Sequence, residues 1–185
     1  MLEIGAGPGQ LTEQLAGSAG RVWAVEIDKR LADICARHVQ AFEKVDVICA
    51  DILAERRELN RSVVDRITAE GPGAIKVVSN LPYSIAATVL VNLLESGLPV
   101  SVITVLTQYE MAERLIAAPG TRRYGQLSII VGALADVRVV RKAPPDLFWP
   151  RPAVNSALIT IRPVRAEFAQ TKRYQDLKRA VHRLF

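Results

Sequence analysis

The chain has 185 residues, half of them hydrophobic, enough for one domain with a substantial core; charged residues, 23% of the total, interrupt every apolar run well short of a membrane span, and the first residues do not read as a basic-then-apolar leader. Two cysteines, Cys35 and Cys49, without CxxC spacing or paired histidines, argue against a metal site or disulfide framework and predict a reduced, cytoplasmic setting. The net charge of +5 is uneven: residues 138–185 hold eleven Lys/Arg against three Asp/Glu, leaving residues 1–137 at −3, which suits either an anionic polymer as partner or a solvated basic face.

Leu2-Glu3-Ile4 reads as a strand without a lead-in, so the chain is expected to begin inside a domain, and it runs directly into Gly5-Ala6-Gly7-Pro8-Gly9. Leu11, Leu15 and Ala16 then keep helical spacing as far as Gly17 and Gly20. Residues 21–27 predict a strand, Asp28 the cap of a helix to about Val39, and residues 45–50 a third strand ending at Asp51. A weak helical pattern covers 55–70. The β-branched residues 75–79 predict a strand that delivers Asn80-Leu81-Pro82-Tyr83, and Ser84 stands where it can cap a helix over 85–95. Beyond it, 100–107 predicts a strand, 110–117 a helix, 127–134 a strand, and 143–152 a Pro-rich loop after a short segment at 137–140. The last strand is expected at 156–162, and a basic amphipathic helix at 174–185. Strands alternate with helices and several are apolar on both faces, which predicts an α/β fold: a mostly parallel sheet covered by helices, with an antiparallel edge built from the 127 and 156 strands.

Four constellations at predicted strand ends carry chemistry. Glu3 to Gly9 is a glycine-rich strand-to-helix turn, and Glu26 stands 21 residues after Gly5 at the next strand end, where a carboxylate can accept from both hydroxyls of a ribose. This pair suits a nicotinamide dinucleotide or S-adenosylmethionine, and GxGxG spacing favours the latter; the glycines alone would also serve tight strand-helix packing. Asp51 can accept from the exocyclic amine of a cofactor adenine while the Ile52 amide donates to a ring nitrogen, or it can simply cap a turn. In Asn80-Leu81-Pro82-Tyr83, the carboxamide oxygen of Asn80 and the carbonyl of Leu81 can hold the two protons of an amine and stabilise positive charge growing on its nitrogen. Pro82 fixes the turn and Tyr83 offers a stacking face to a planar base. The chemistry needs no general base before transfer, so the positions of His38, in a helix, and His182, in the basic tail, do not oppose it.

With these residues in this order, the sequence resembles the small-subunit ribosomal RNA adenine N6,N6-dimethyltransferases, kin to the erythromycin-resistance methylases. The likeness runs over nearly the whole chain. Glu3 to Gly9 resembles the family's glycine motif, Val25-Glu26-Ile27-Asp28 its ribose-binding strand end, Ala50-Asp51-Ile52 its adenine-binding turn, and Asn80 to Tyr83 its catalytic motif; the resemblance implies that Glu3, Gly5, Gly7, Gly9, Glu26, Ile27, Asp51, Ile52 and Asn80 bind the cofactor. Ala112-Glu113-Arg114-Leu115, Pro119-Gly120 and Tyr124-Gly125-Gln126-Leu127-Ser128 resemble the segment after the fifth strand, and Phe148-x-Pro150-x-Pro152-x-Val154-x-Ser156 the late Phe-Pro-Pro-Val-Ser motif. The resemblance implies a Rossmann-like, S-adenosylmethionine-dependent fold with a seven-stranded sheet over residues 1–165, and the start of a helical RNA-binding domain at 166–185. It further implies that Phe148 closes on the base opposite Tyr83, and that Arg122, Arg123, Arg138, Arg141, Lys142 and Arg151 contact RNA phosphates. The implied substrate is two adjacent adenosines of small-subunit ribosomal RNA in a pre-ribosomal particle, with a monomeric enzyme, no metal and no membrane.

The sequence departs from the family at Ala6, where proline is usual, and at Pro8, where a larger apolar residue is usual; both keep the glycines. Relatives carry an N-terminal segment over the cofactor and a longer C-terminal helical domain, so this chain reads as truncated at both ends and is expected to bind cofactor and RNA more weakly than a complete relative. A non-catalytic ribosome-assembly factor of the same fold and a DNA adenine methyltransferase are the alternatives, although the latter tend to have a second proline where Leu81 stands. A nicotinamide oxidoreductase is the weakest candidate.

Overall fold

The computed structural model describes residues 1–54, 58–71, 73–149 and 151–185. In chain order they form β1 (Leu2–Ile4), α1 (Gln10–Ser18), β2 (Val22–Glu26), α2 (Lys29–His38), β3 (Val45–Cys49), the short antiparallel pair β4 (Leu53–Ala54) and β5 (Glu58–Leu59), and α3 (Arg61–Thr68). There follow β6 (Ile75–Asn80), α4 (Ala86–Glu95), β7 (Val100–Gln108), α5 (Tyr109–Leu115), α6 (Gln126–Leu134), β8 (Ala135–Ala143), β9 (Ser156–Pro163) and α7 (Lys172–Leu184).

Seven strands make one sheet in the order β3-β2-β1-β6-β7-β9-β8. The first five run parallel; β9 is antiparallel to β7, and β8 to β9. Alternation along the strands sends side chains to two separate apolar layers. Leu2, Ile4, Trp23, Val25, Ile75 and Val77 join the large core with α3, α4, α6 and α7. Ala24 meets Cys35 of α2 on the opposite face, while Val22 packs with Leu15 of α1. Helices therefore cover both faces, as a parallel sheet buried on two sides requires.

Local chemistry explains several helix starts. Asp28 caps α2, its Oδ1 accepting from the amides of Arg30 at 2.7 Å and Leu31 at 3.2 Å. Asn60 does the same for α3, accepting from Ser62. The helical pattern over 55–70 thus begins only at Arg61, and residues 55–57 lie outside the described ones. Ser84 does not cap α4: Pro82 to Ile85 form a turn, and Ile85 precedes the helix without a side-chain cap.

The main correction concerns 127–134, which form helix α6 and not a strand. Its β-branched Ile129-Ile130-Val131 suggests a strand, but Leu127, Ile130, Val131 and Leu134 stand at i, i+3, i+4 and i+7 and pack on the core. Ser128 fixes the helix start, its hydroxyl accepting from the Gly125 amide and donating to the Arg114 carbonyl. The antiparallel edge consists instead of β8 and β9, and β8 is longer than the segment at 137–140 indicated.

Helix α7 is locked onto α4 by Glu95. The Glu95 carboxylate accepts from the Tyr174 hydroxyl at 2.5 Å and from Lys178 Nζ at 2.8 Å, and its backbone carbonyl accepts from Gln170. Tyr174 and Val181 are buried in the large core. Burial, reinforced by the Glu95 charge, pushes the Tyr174 phenol far up, so it remains a donor. Glu95→Ala leaves that hydroxyl buried without its acceptor and is expected to lower stability by about 1–3 kcal/mol in urea unfolding. Adding Tyr174→Phe should recover part of the loss; no recovery would mean that the bond does not hold α7.

Candidate active site

Because β1, β2, β3, β6 and β7 are parallel, their C-terminal ends share one edge of the sheet. That edge brings together Gly5 to Gly9, Glu26, Asp51 and the turn Asn80 to Tyr83. The antiparallel partners add the loop 144–155, because β9 begins at Ser156 opposite Gln108 and β8 ends at Ala143 opposite Ser156.

The glycine turn needs left-handed backbone at Gly5, Gly7 and Gly9 (φ +76°, +57° and +98°), where side chains other than glycine's are strained. A Cβ on Gly5 would sit 3.3 Å from Pro82 Cδ, so the turn packs directly on the Asn-Leu-Pro-Tyr segment. At Gly7 nothing lies within 4 Å of the added carbon, leaving open space above the loop. Ser79 ties the two segments again, its hydroxyl accepting from the Ile4 amide at 2.8 Å.

Glu26 is 7% exposed. Its Oε2 accepts from the Gly7 amide at 2.8 Å and its Oε1 from the Asp28 amide at 2.9 Å. An ionised carboxylate offers about four acceptor positions, so half of them stay free. The next residue, Ile27, is 65% exposed, an apolar surface at the mouth of the turn. Asp51 is exposed; its Oδ1 accepts from the Leu53 amide, while its carbonyl accepts from Asn60. Ile52 is buried.

Asn80 is exposed, and among the described residues its carboxamide has no hydrogen-bond partner. The Leu81 side chain is buried and its amide continues the ladder to Leu106 O at 3.3 Å, which holds the adjoining carboxamide at the sheet edge. Tyr83 is 37% exposed, its hydroxyl 3.0 Å from Ser156 Oγ. Phe148 is half-buried in the loop 144–155. Among the described residues no ring contact joins it to Tyr83; Pro150 of the same motif lies outside them.

The basic residues fall into separate groups. Arg123 pairs with Glu110 at 3.2 Å and Glu113 at 3.1 Å, and exposed Arg122 borders the same polar cavity of about 860 Å³. Arg138, Arg141 and Lys142 are exposed on edge strand β8, with the Lys142 ammonium 4.0 Å above the Tyr109 ring. Arg151 pairs with Asp146 at 2.9 Å. His38 pairs with Glu13, and His182 lies by Gln126, both away from the turn.

Two features of the site were not read from the sequence: the contact of Ser156 with Tyr83, and the burial of Glu3, which the sequence placed with the cofactor-binding residues. Ser156 anchors Tyr83 from 73 residues away; it closes the late proline motif, but no local pattern announces its contact. Glu3, 1% exposed, is enclosed beside Thr12, Cys35 and Glu26, and its Oε2 has no partner among the described residues. Burial pushes its carboxyl up to about 7, helped by the Glu26 charge and opposed by the Thr12 hydroxyl. Folded Glu3 therefore keeps a proton between about pH 4.5 and 7 that the unfolded chain releases. Stability should fall by about 3 kcal/mol as pH rises through this window and level off above it. Urea midpoints from pH 5 to 8 check this: Glu3→Gln should flatten the slope, and an equal slope in both proteins would exclude Glu3 as its source.

This fold and edge define the class: a Rossmann-like α/β domain of the S-adenosylmethionine-dependent methyltransferase type. A family model described as ribosomal RNA adenine dimethylase matches residues 1–185. The chain belongs to that family. It is 38% identical over 182 residues to ribosomal RNA small subunit methyltransferase A of Ligilactobacillus salivarius, covering 98% of this chain and 60% of that protein. It is 42% identical over 168 residues to the same-named protein of Streptococcus pneumoniae, covering 90% and 57%. Among solved structures it resembles a dimethyladenosine transferase from Plasmodium falciparum (TM-score 0.72, 26% identity, 92% of this chain and 57% of that one). It also resembles the 23S rRNA methyltransferase ErmE (TM-score 0.74, 26% identity, 98% and 68%). The chain spans 57–60% of the length of these two curated relatives.

Proposed function

We propose that this chain transfers methyl groups from S-adenosylmethionine to N6 of adenosine in small-subunit ribosomal RNA, two on each of two adjacent adenosines. The observation that carries the reading is the packing of Gly5 against Pro82, which joins a cofactor-type glycine turn to an amine-holding turn at one sheet edge. The named function of the curated relatives supports the substrate class. In this reading the protein works as a cytoplasmic monomer on a pre-ribosomal particle, residues 1–165 carry the reaction, and 166–185 open the RNA-binding helical part.

The residues fit the cofactor's chemistry. Glu26 has acceptor positions left for two ribose hydroxyls, Ile27 offers an apolar face to an adenine, and Asp51 and the Ile52 amide offer an acceptor and a donor to its edge. The open space above Gly7 leaves room for the methionine part of the cofactor. When bound, S-adenosylmethionine supplies a methyl group on a positively charged sulfur. In the first transfer Asn80 Oδ1 and the Leu81 carbonyl accept the two N6 hydrogens, and in the second one of them accepts the single hydrogen that remains; both times they aim the nitrogen lone pair at that methyl and stabilise the charge that develops on nitrogen. Tyr83, with Ser156 holding its hydroxyl, presents its ring to the base, and Phe148 closes from the other side. The nitrogen loses its proton to water after transfer. Arg122, Arg123, Arg138, Arg141, Lys142 and Arg151 meet the RNA phosphates.

Tritiated methyl transfer to small subunits that lack the mark tests the proposal. Incorporation into N6 of adenosine is the expected result. A protein that binds S-adenosylhomocysteine yet labels no RNA would overturn it.

A further inference from the structure

Trp149 is 97% exposed, whereas Trp23, the other of the two tryptophans, is 3% exposed within the core. Displaying a whole indole to water forfeits the burial that usually holds a tryptophan in place, so it marks a contact surface better than a scattered small apolar residue does. The loop that carries it is tied down. The amides of Leu147 and Phe148 donate to the carbonyls of Pro144 and Pro145, Arg151 pairs with Asp146, and Asn155 O accepts from the Tyr109 amide. At its foot, Ser156 meets the Tyr83 hydroxyl. Residues on either side of Trp149 are therefore fixed to the fold, and the loop ends at the partner of the proposed base-holding tyrosine.

The segment that carries it is cationic: residues 138–151 hold Arg138, Arg141, Lys142 and Arg151 against Asp146 alone, with Arg138 and Arg141 exposed on β8. One flat aromatic ring among positive charges suits a nucleobase with its phosphates better than it suits a protein face. We propose that Trp149 is a stacking platform for an unpaired nucleobase of single-stranded RNA flanking the target adenosine, with Arg141 and Arg151 on the adjoining phosphates. This rests on the RNA substrate proposed above. Stacking on an indole tolerates any base, so Trp149 supplies affinity and register, while the Asn80 turn supplies the choice of adenine.

Tryptophan emission tests this directly, because only Trp149 is accessible. Titrating the wild-type chain with a short single-stranded RNA oligonucleotide should quench the exposed emission and shield it from acrylamide. Trp149→Phe, left with Trp23, should show no such quenching while keeping RNA affinity within a few-fold. Trp149→Ala should bind labelled RNA about 5- to 150-fold more weakly, with unchanged affinity for S-adenosylhomocysteine as the control for folding. Emission that does not move at saturating RNA, equal RNA affinity in Trp149→Ala, or no RNA binding at all would overturn the proposal. A concentration-dependent shift without RNA, abolished in Trp149→Ala and unaffected by adding RNA, would overturn it in favour of contact between copies of the chain. Quenching by RNA without any methyl transfer would remove the reaction proposed above and leave this platform standing.

Discussion

Asn80→Ala is expected to reduce kcat for methyl transfer by about 10²–10³-fold while changing the Kd for S-adenosylhomocysteine by only about threefold. The asymmetry follows from where the side chain stands. Its carboxamide is exposed at the end of β6 and engages no neighbour among the described residues, so its removal leaves no orphaned partner and costs the fold little. What it removes is an acceptor aimed at an amine that becomes positively charged only as the carbon–nitrogen bond forms, and such an interaction lowers the barrier more than it favours ground-state binding. The Leu81 carbonyl remains, which is why activity should fall and not vanish. Single-turnover kinetics with saturating cofactor separate the two quantities. A variant with wild-type kcat, or one whose whole loss lies in cofactor affinity, would remove Asn80 from the chemical step.

The parts of this site that could be read from the sequence are those written within a few residues: a strand, then a turn whose side chains have one job. Asp28 as a helix cap belongs here, as do the glycines of the first turn. Contacts between such segments could not be read, because they depend on which strands become neighbours. Leu2 pairs with Val77, and this register brings Gly5 against Pro82 and Ile4 to the Ser79 hydroxyl. Helix α6 shows the opposite difficulty: its local β-branched composition pointed to a strand, whereas the spacing of its buried residues fits a helix once α4 and α7 lie alongside. The burial of Glu3 was hidden for the same reason. A carboxylate in a three-residue strand looks solvated until α1 and α2 close over it.

Glu26→Ala should affect folding and cofactor binding together, and the two effects can be measured apart. In the folded chain the carboxylate bridges two backbone amides, Gly7 in the glycine turn and Asp28 at the head of α2. Removing it orphans both donors in a nearly buried place, and an unsatisfied donor costs about 1–3 kcal/mol, so urea unfolding should show a loss of about 2–6 kcal/mol. The turn it braces holds Gly7 at φ +57°, and it loses that tie when the Gly7 amide has no acceptor. Cofactor affinity should then fall by about 10²-fold or more, since hydrogen bonds from two ribose hydroxyls to a charged acceptor disappear along with the brace. Glu26→Gln distinguishes brace from ligand: its amide oxygen still accepts one backbone N–H, while its NH₂ faces the other donor, so stability should fall less than in the alanine variant. If Glu26→Gln keeps most of the stability yet loses S-adenosylhomocysteine binding in calorimetry, the free acceptor positions are the cofactor's. If affinity tracks stability through both variants, Glu26 acts only by shaping the turn, and the ribose must be held elsewhere along the edge.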